Sequence, residues 1–276
     1  MITRIKFGVY ADSQSVEQSE RILEPVRNAL PGVSAELVTT SAAGEMYAEA
    51  ADLIQALLDK RVDFAICPLD QVPSELPVEL AVPVFARRTA PRYGLVLAEN
   101  TKKLPNAKTI GCFTELQALQ LQEQYPNHTI RKMTETPQAC LRLFHSGVIG
   151  GLVLENAKIE ELDLAARVCR WFAPNELVPA AGTGILAVLT RVGTDCACLN
   201  TVHDLDTACC ALAERAFLCC AAGAPNLTGA NARIENGLLV LTAITGEDAA
   251  SLRRGDMFGN PRQASMLGEM LAAHLE

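Results

Sequence analysis

Short apolar runs alternate with amphipathic segments twice over in the first two-thirds of this chain, and no other feature constrains its fold as tightly. Residues 5–10, 33–39 and 64–66 predict strands, and 13–30 and 48–59 between them carry apolar residues at helical spacing. Asp12 or Ser13 is placed to cap the first of these helices. Two more strand-like runs follow at 80–85 and 93–97. The pattern then restarts, with strands at 109–112, 128–133 and 151–154 separated by helices at 115–125 and 137–146. Strands that take turns with helices imply crossover connections and a mainly parallel core sheet, so two α/β units of similar size are expected. A strand at 185–190 leads back to the first unit. The remainder reads as a small α+β domain: a helix at 205–221, two strands within 233–244 around the hairpin signal Asn236-Gly237, and a last helix at 265–275. The expected division is 1–90 with 178–198, then 91–177, then 199–276.

At 276 residues and 49% hydrophobic content the chain can bury a sizeable core. It contains no run of about 18 apolar residues, so no membrane span or membrane partner is expected. Met1-Ile2-Thr3-Arg4-Ile5-Lys6 runs straight into strand-like sequence with no signal-peptide core, which makes the cytoplasm the expected location. A monomer is the expected state. Lys and Arg number 24 against 32 Asp and Glu, a net charge of −8, and no basic run exists. Nucleic acid, whose binding relies on clustered cations, is therefore not an expected partner.

Ten cysteines stand at 67, 112, 140, 169, 196, 198, 209, 210, 219 and 220. Without a secretory signal they read as free thiols. The crowding between 196 and 220 raises a metal site, but C-x-C, CC and CC are not zinc spacings. Cys209 and Cys220 on one helix would stand about 16 Å apart at 1.5 Å per residue, too far to share an ion. Small buried thiols are the expected reading, and no metal.

The segment from Asp63 to Pro77 reads DFAICPLDQVPSELP. It closely resembles the DIAVHSLKDVPTELP segment of the porphobilinogen deaminase (hydroxymethylbilane synthase) family, with Asp63, Ala65, Leu69, Val72, Pro73, Glu75, Leu76 and Pro77 in common. The likeness runs along the chain. Residues 6–13 sit where the family has a sequence near RIGTRGSK, and Arg88, Pro91 and Arg92 match ERxDPRD. PNELVPAAGTG (174–184) resembles PEEFLPAVGQG, and Glu214-Arg215-Ala216-Phe217-Leu218 reads ERAFL as the family does. The resemblance implies an α/β fold with two periplasmic-binding-protein-like lobes and a small α+β C-terminal domain. It also implies a transferase that joins porphobilinogen units on a dipyrromethane cofactor in tetrapyrrole biosynthesis.

The residues that the resemblance assigns to this chemistry are absent. The substrate-binding lysine falls on Asp70, and the aspartate that stabilises cationic intermediates falls on neutral Gln71. Arginines that clamp carboxylates fall on Tyr10, Leu116, Gln117, Thr134 and Cys140. The cysteine that anchors the cofactor falls in the loop near Ala224 and Pro225, which contains none, and Cys219 and Cys220 lie earlier in the helix. A glycine-rich lid is missing where Ala43-Gly44-Glu45 runs into Met46 and Tyr47.

The expectation is a scaffold without catalytic residues, cofactor or metal. It would hold a small anionic ligand or a pathway partner in an interdomain cleft lined by Tyr10, Ser13, Asp70, Gln71, Cys112, Thr114, Gln117, Thr134 and Thr183. Helix N-termini after Ser13 and Thr114, together with Arg87, Arg88 and Arg92, are the candidate anion holders. Two alternatives stay open. One is an active, divergent synthase that polymerises porphobilinogen. The other is a cysteine enzyme of altered chemistry, using Cys67 or Cys112; the latter follows Gly111 at a strand-to-helix turn that favours a thiolate.

Overall fold

A computed structural model describes residues 3–29, 32–40, 50–135, 137–221, 223 and 227–276. The chain divides into two compact units: Met1–Arg88 with Gly182–Leu212, and Thr89–Ala181 with Ala213–Glu276.

The first unit is built on β1 (Thr3–Tyr10), α1 (Ser13–Ala29), β2 (Val33–Thr40), α2 (Ala51–Leu58), β3 (Phe64–Pro68) and β4 (Leu80–Phe85). Its five-stranded sheet has the order β2-β1-β3-β10-β4, where β10 is Leu186–Arg191. β1 runs parallel to β2 and β3, and β10 runs antiparallel to β3 and β4. α2 and the start of the long helix α6 (Leu205–Cys220) cover one face, where Leu53, Leu57, Cys67, Leu69 and Leu189 are buried. α1 covers the other, over Phe7, Ile22, Leu23, Phe64 and Val188. β3 is buried on both faces, which is why FAIC reads as a continuous apolar run, while β1 keeps Arg4 and Lys6 exposed and buries Phe7–Tyr10.

The second unit repeats the plan. β5 (Tyr93–Leu97), β6 (Thr109–Cys112), α3 (Glu115–Gln124), β7 (Thr129–Lys132), α4 (Pro137–His145), β8 (Gly151–Glu155), α5 (Asn156–Glu161) and β9 (Val168–Trp171) form a sheet of order β7-β6-β8-β5-β9. β6 is parallel to β7 and β8, and β5 is the strand that runs against its neighbours. The second unit also holds an antiparallel sheet of β11 (Gly229–Glu235), β12 (Leu238–Thr245) and β13 (Arg253–Gly259), backed by α7 (Ala264–Leu275). Asn236 and Gly237, both at positive φ, make the expected hairpin turn.

Sequence periodicity missed three elements. α5 has six residues, too few for a period to show, and β9 is the four-residue run VCRW. β13 hides its alternation behind Gly255 and Gly259, where a Cβ would strike Leu271, Leu275 and Leu267 of α7. The anticipated lid deletion at 43–47, the cofactor loop at Ala224 and Pro225, and the start of the helix expected from residue 48 lie outside the described residues. No described helix is long and apolar enough to cross a membrane.

Candidate functional site

In open α/β sheets, ligands collect at the carboxyl ends of the parallel strands. In the first unit that rim is formed by Tyr10 at the end of β1, the 3-10 turn Leu69–Gln71 after β3, and the Gly182-Thr183-Gly184 turn before β10. The register of Leu186 against Pro68 brings the last two together. Ile185 N donates to the Gly182 carbonyl (3.0 Å), and Gly184 sits at φ +79, the conformation a type II turn demands at its third position. Leu69 N donates to the Ile185 carbonyl (2.9 Å). A Cβ on Gly182 would lie 2.9 Å from Asp70 N and from the Leu69 carbonyl carbon, so the two turns touch backbone to backbone. Thr183 is buried, and its carbonyl accepts from Arg88 Nε (2.9 Å).

Asp70 and Gln71 are half-buried on this rim, and the buried Gln71 Oε1 has no hydrogen-bond partner among the described residues. Tyr10 is buried in the core. Burial first, then Cys67, Asp52 and Asp12, holds its phenol well above the ordinary range, so it stays neutral. Asp12 rather than Ser13 supplies the described α1 cap: its carboxylate accepts from Ser15 N (2.8 Å), so negative charge already stands at that helix N-terminus. Nothing is described of the Ser13 side chain.

α3 closes its own N-terminus in the same way. Thr114 Oγ1 accepts from Gln117 N (3.1 Å) and Gln117 Oε1 accepts from Thr114 N (3.4 Å), a capping box, and the same Oε1 also accepts from Phe113 N (2.9 Å). Gln117 is 3% exposed and spends its amide oxygen on the chain's own N–H groups. Leu116 packs against Val178 and Ile244. One turn on, Gln120, 1% exposed, was not anticipated from sequence. It donates to the carbonyls of Leu116 and Val178, and accepts from Val178 N and Arg254 (2.8 Å each). Its partners Val178 and Arg254 lie 58 and 134 positions away, and nothing local in the sequence names them.

Thr134 is exposed, and its N–H donates to Glu135 (3.0 Å). Glu135 pairs with Arg131, and its carboxyl is held below the usual range by backbone N–H groups and Arg131. The Cys140 thiol, buried, donates to the Glu135 carbonyl (3.3 Å) and is pushed up by burial and by Glu135. Two positions where the resemblance expects arginines thus flank a carboxylate.

Cys112 is fully buried, with Sγ 3.7 Å from the Arg131 carbonyl. Burial, and then Glu115, push its thiol up to about 12 despite the opposing effect of Lys132. It is protonated at neutral pH, contrary to the thiolate its strand-to-helix position suggested: desolvation outweighs the helix terminus. Cys67 is equally enclosed, while Cys169, Cys219 and Cys220 are exposed. Among the described residues no three His, Cys, Asp or Glu side chains are grouped to hold a metal ion. Of the three arginines considered, Arg88 donates to a backbone carbonyl, Arg87 accepts from Arg21 through its own carbonyl (3.2 Å), and Arg92 lies over Trp171.

Two open α/β sheets, each with one strand running against the rest, define a mixed α/β protein. The comparisons with known proteins go further. Residues 36–197 match the family model described as porphobilinogen deaminase, dipyromethane cofactor binding domain. Relatives named porphobilinogen deaminase include one from Sorangium cellulosum, 32% identical over 82% of this chain and 78% of its own length. Another, from Alkaliphilus oremlandii, is 27% identical over 99% of this chain and 97% of its own. The chain belongs to the porphobilinogen deaminase family. It is also similar to a TRAP periplasmic solute-binding protein from Desulfovibrio salexigens, at 12% identity, covering 74% of this chain and 72% of that one with a TM-score of 0.48.

The residues present do not fit the dipyrromethane group that the family implies. Its carboxylates need cations, and the positions where the resemblance places them hold a buried phenol and the Asp70 carboxylate in the first unit, and a packed leucine and a capping glutamine in the second. No step is derived through that group.

Proposed function

We propose that this chain is a non-catalytic member of the porphobilinogen deaminase family, a family of tetrapyrrole biosynthesis, and that it binds a small carboxylate-bearing ligand without condensing it. The observation that carries this reading is the Leu69–Gln71 turn. An aspartate there stabilises developing positive charge in the family, and here the neutral amide of Gln71 takes its place beside Asp70. By analogy with the loss of an oxyanion-hole donor, removing such a preorganised charge costs about 3–4 kcal/mol of barrier. The capping role of Gln117 and the packing of Leu116 support the reading independently, because both side chains are committed to the fold. The closed, protonated Cys112 gives no support to a cysteine nucleophile.

The test is incubation of the purified protein with porphobilinogen, following pyrrole consumption and intact mass. No turnover and the mass of the bare chain are expected. Turnover together with a covalently bound dipyrromethane would show an active, divergent synthase instead. A porphobilinogen-dependent rise in melting temperature without turnover supports the binding half, and no rise with any small carboxylate would point to a protein partner.

A further inference from the structure

We infer that Arg92 is an anion-recognising residue of the second unit, and that it takes one carboxylate of a small ligand through the two terminal nitrogens of its guanidinium group. The inference deepens the reading above but rests only on its binding half, since Arg92 would grip a carboxylate whether or not the ligand reacts.

The position is set by topology. Arg92 immediately precedes β5, which runs against β8 with Tyr93 opposite Glu155 and against β9 with Gly94 opposite Trp171. The start of β5 therefore lies at the carboxyl ends of β8 and β9, the rim where open α/β sheets bind ligands.

The side chain is exposed yet held from several sides. Its guanidinium carbon lies 4.1 Å from the centre of the Trp171 ring. The indole can lie there because its support is Gly94: a Cβ would stand 3.0 Å from the ring. Beside it, Asn156 is 8% exposed. The Asn156 amide nitrogen donates to Glu160 (2.8 Å), which turns Oδ1 towards Arg92 Nε at 3.5 Å. Asn156 N also donates to the Arg92 carbonyl (3.0 Å). Main chain, Nε and ring face are all engaged, while neither terminal nitrogen meets an acceptor among the described residues.

An arginine that merely neutralised a neighbour would turn its fork to a carboxylate. Here the planar fork is oriented in advance and its outer edge is open, the arrangement that suits bidentate capture of a carboxylate or phosphate. Stacking on indole also reduces the side-chain freedom lost on binding.

Trp171 is the chain's only tryptophan, so its emission reports directly on the guanidinium above it. The full-length protein is titrated with succinate, and separately with inorganic phosphate, against sodium chloride at matched ionic strength, with calorimetry in parallel. A saturable change in emission with succinate is expected. Arg92→Gln and Arg92→Lys should each bind at least about tenfold more weakly, since a hydrogen bond to a charged group is lost or the fork becomes a point charge. Asn156→Ala should weaken binding less, because it frees the fork without removing it. Unaltered thermal melts would establish that the variants fold. Overturning results are emission and heats that follow ionic strength alone, or an affinity for succinate unchanged in Arg92→Gln. Stronger binding of phosphate than succinate, lost in the same variants, would keep the site and reassign its anion. The readout is binding, so it is independent of whether porphobilinogen turns over.

Discussion

Replacing Gly182 by alanine tests whether the two rim turns of the first unit are packed as tightly as described. Two costs arise. Gly182 sits at φ +88, a region where an L residue pays roughly 1–2 kcal/mol. The new methyl group would also stand 2.9 Å from Asp70 N, from the Leu69 carbonyl carbon and from Leu69 Cγ. Those atoms cannot yield easily, because Leu69 is 1% exposed and its N–H is bonded to the Ile185 carbonyl. Such overpacking costs roughly 1–3 kcal/mol more.

Gly193 supplies the control. Its φ is +84, nearly the same, and a Cβ there meets nothing within 4 Å, so Gly193→Ala carries the backbone cost alone. The difference between the two variants isolates the contact between the turns, at roughly 1–3 kcal/mol. For a chain of this size that is a melting-temperature gap of about 2–12 °C. Urea unfolding followed by circular dichroism and by Trp171 emission gives the energies and shows whether the units unfold together. Equal destabilisation of the two variants, within about 0.5 kcal/mol, would refute the packing described for the Asp70–Gln71 rim.

Other outcomes follow from single residues. Gln120→Leu should destabilise the second unit by roughly 2–5 kcal/mol, because the N–H and carbonyl of Val178 lose their partner in a buried position; a loss under 1 kcal/mol in a urea melt would contradict that. Cys112 should resist iodoacetamide at pH 7.5 in the folded protein and react only on unfolding, with site-resolved mass spectrometry as the check. The same thiol sets a pH dependence. Its folded value lies above its ordinary one near 9, so its contribution is fully present below about pH 9 and is lost as pH rises towards about 12. Cys112→Ala should flatten the decline in stability over that range, and an unchanged alkaline profile would show that the thiol is not held as described.

How much of this was legible beforehand depends on the kind of residue. The Asn236-Gly237 turn, the strand at the start of the chain and the short apolar run of β3 rest on local geometry, and each formed where its sequence said it would. Gln117 shows the limit. From the chain alone it was a missing arginine; only folding showed that its amide closes the capping box of α3. Cys112 shows the same limit in its protonation state, because local position favoured a thiolate and burial decided otherwise. Arg92 matched a family motif, but Trp171 stands 79 positions away, and nothing local linked them.

By itself, the sequence determined most of the order of strands and helices and the family, and, through the resemblance, that Asp70, Gln71, Leu116 and Gln117 stand where the family's cations and catalytic aspartate are expected. Those follow from periodicity, turn chemistry and residue identity, which act over a few positions. Only the tertiary structure decided which side chains became fold and which stayed available. Leu116, Gln117 and Gln120 are committed to packing and backbone groups, while the fork of Arg92 is left open on a rim. The physical reason is that burial and hydrogen-bond partnership are set by residues distant along the chain, and those meet only when the strands take their register.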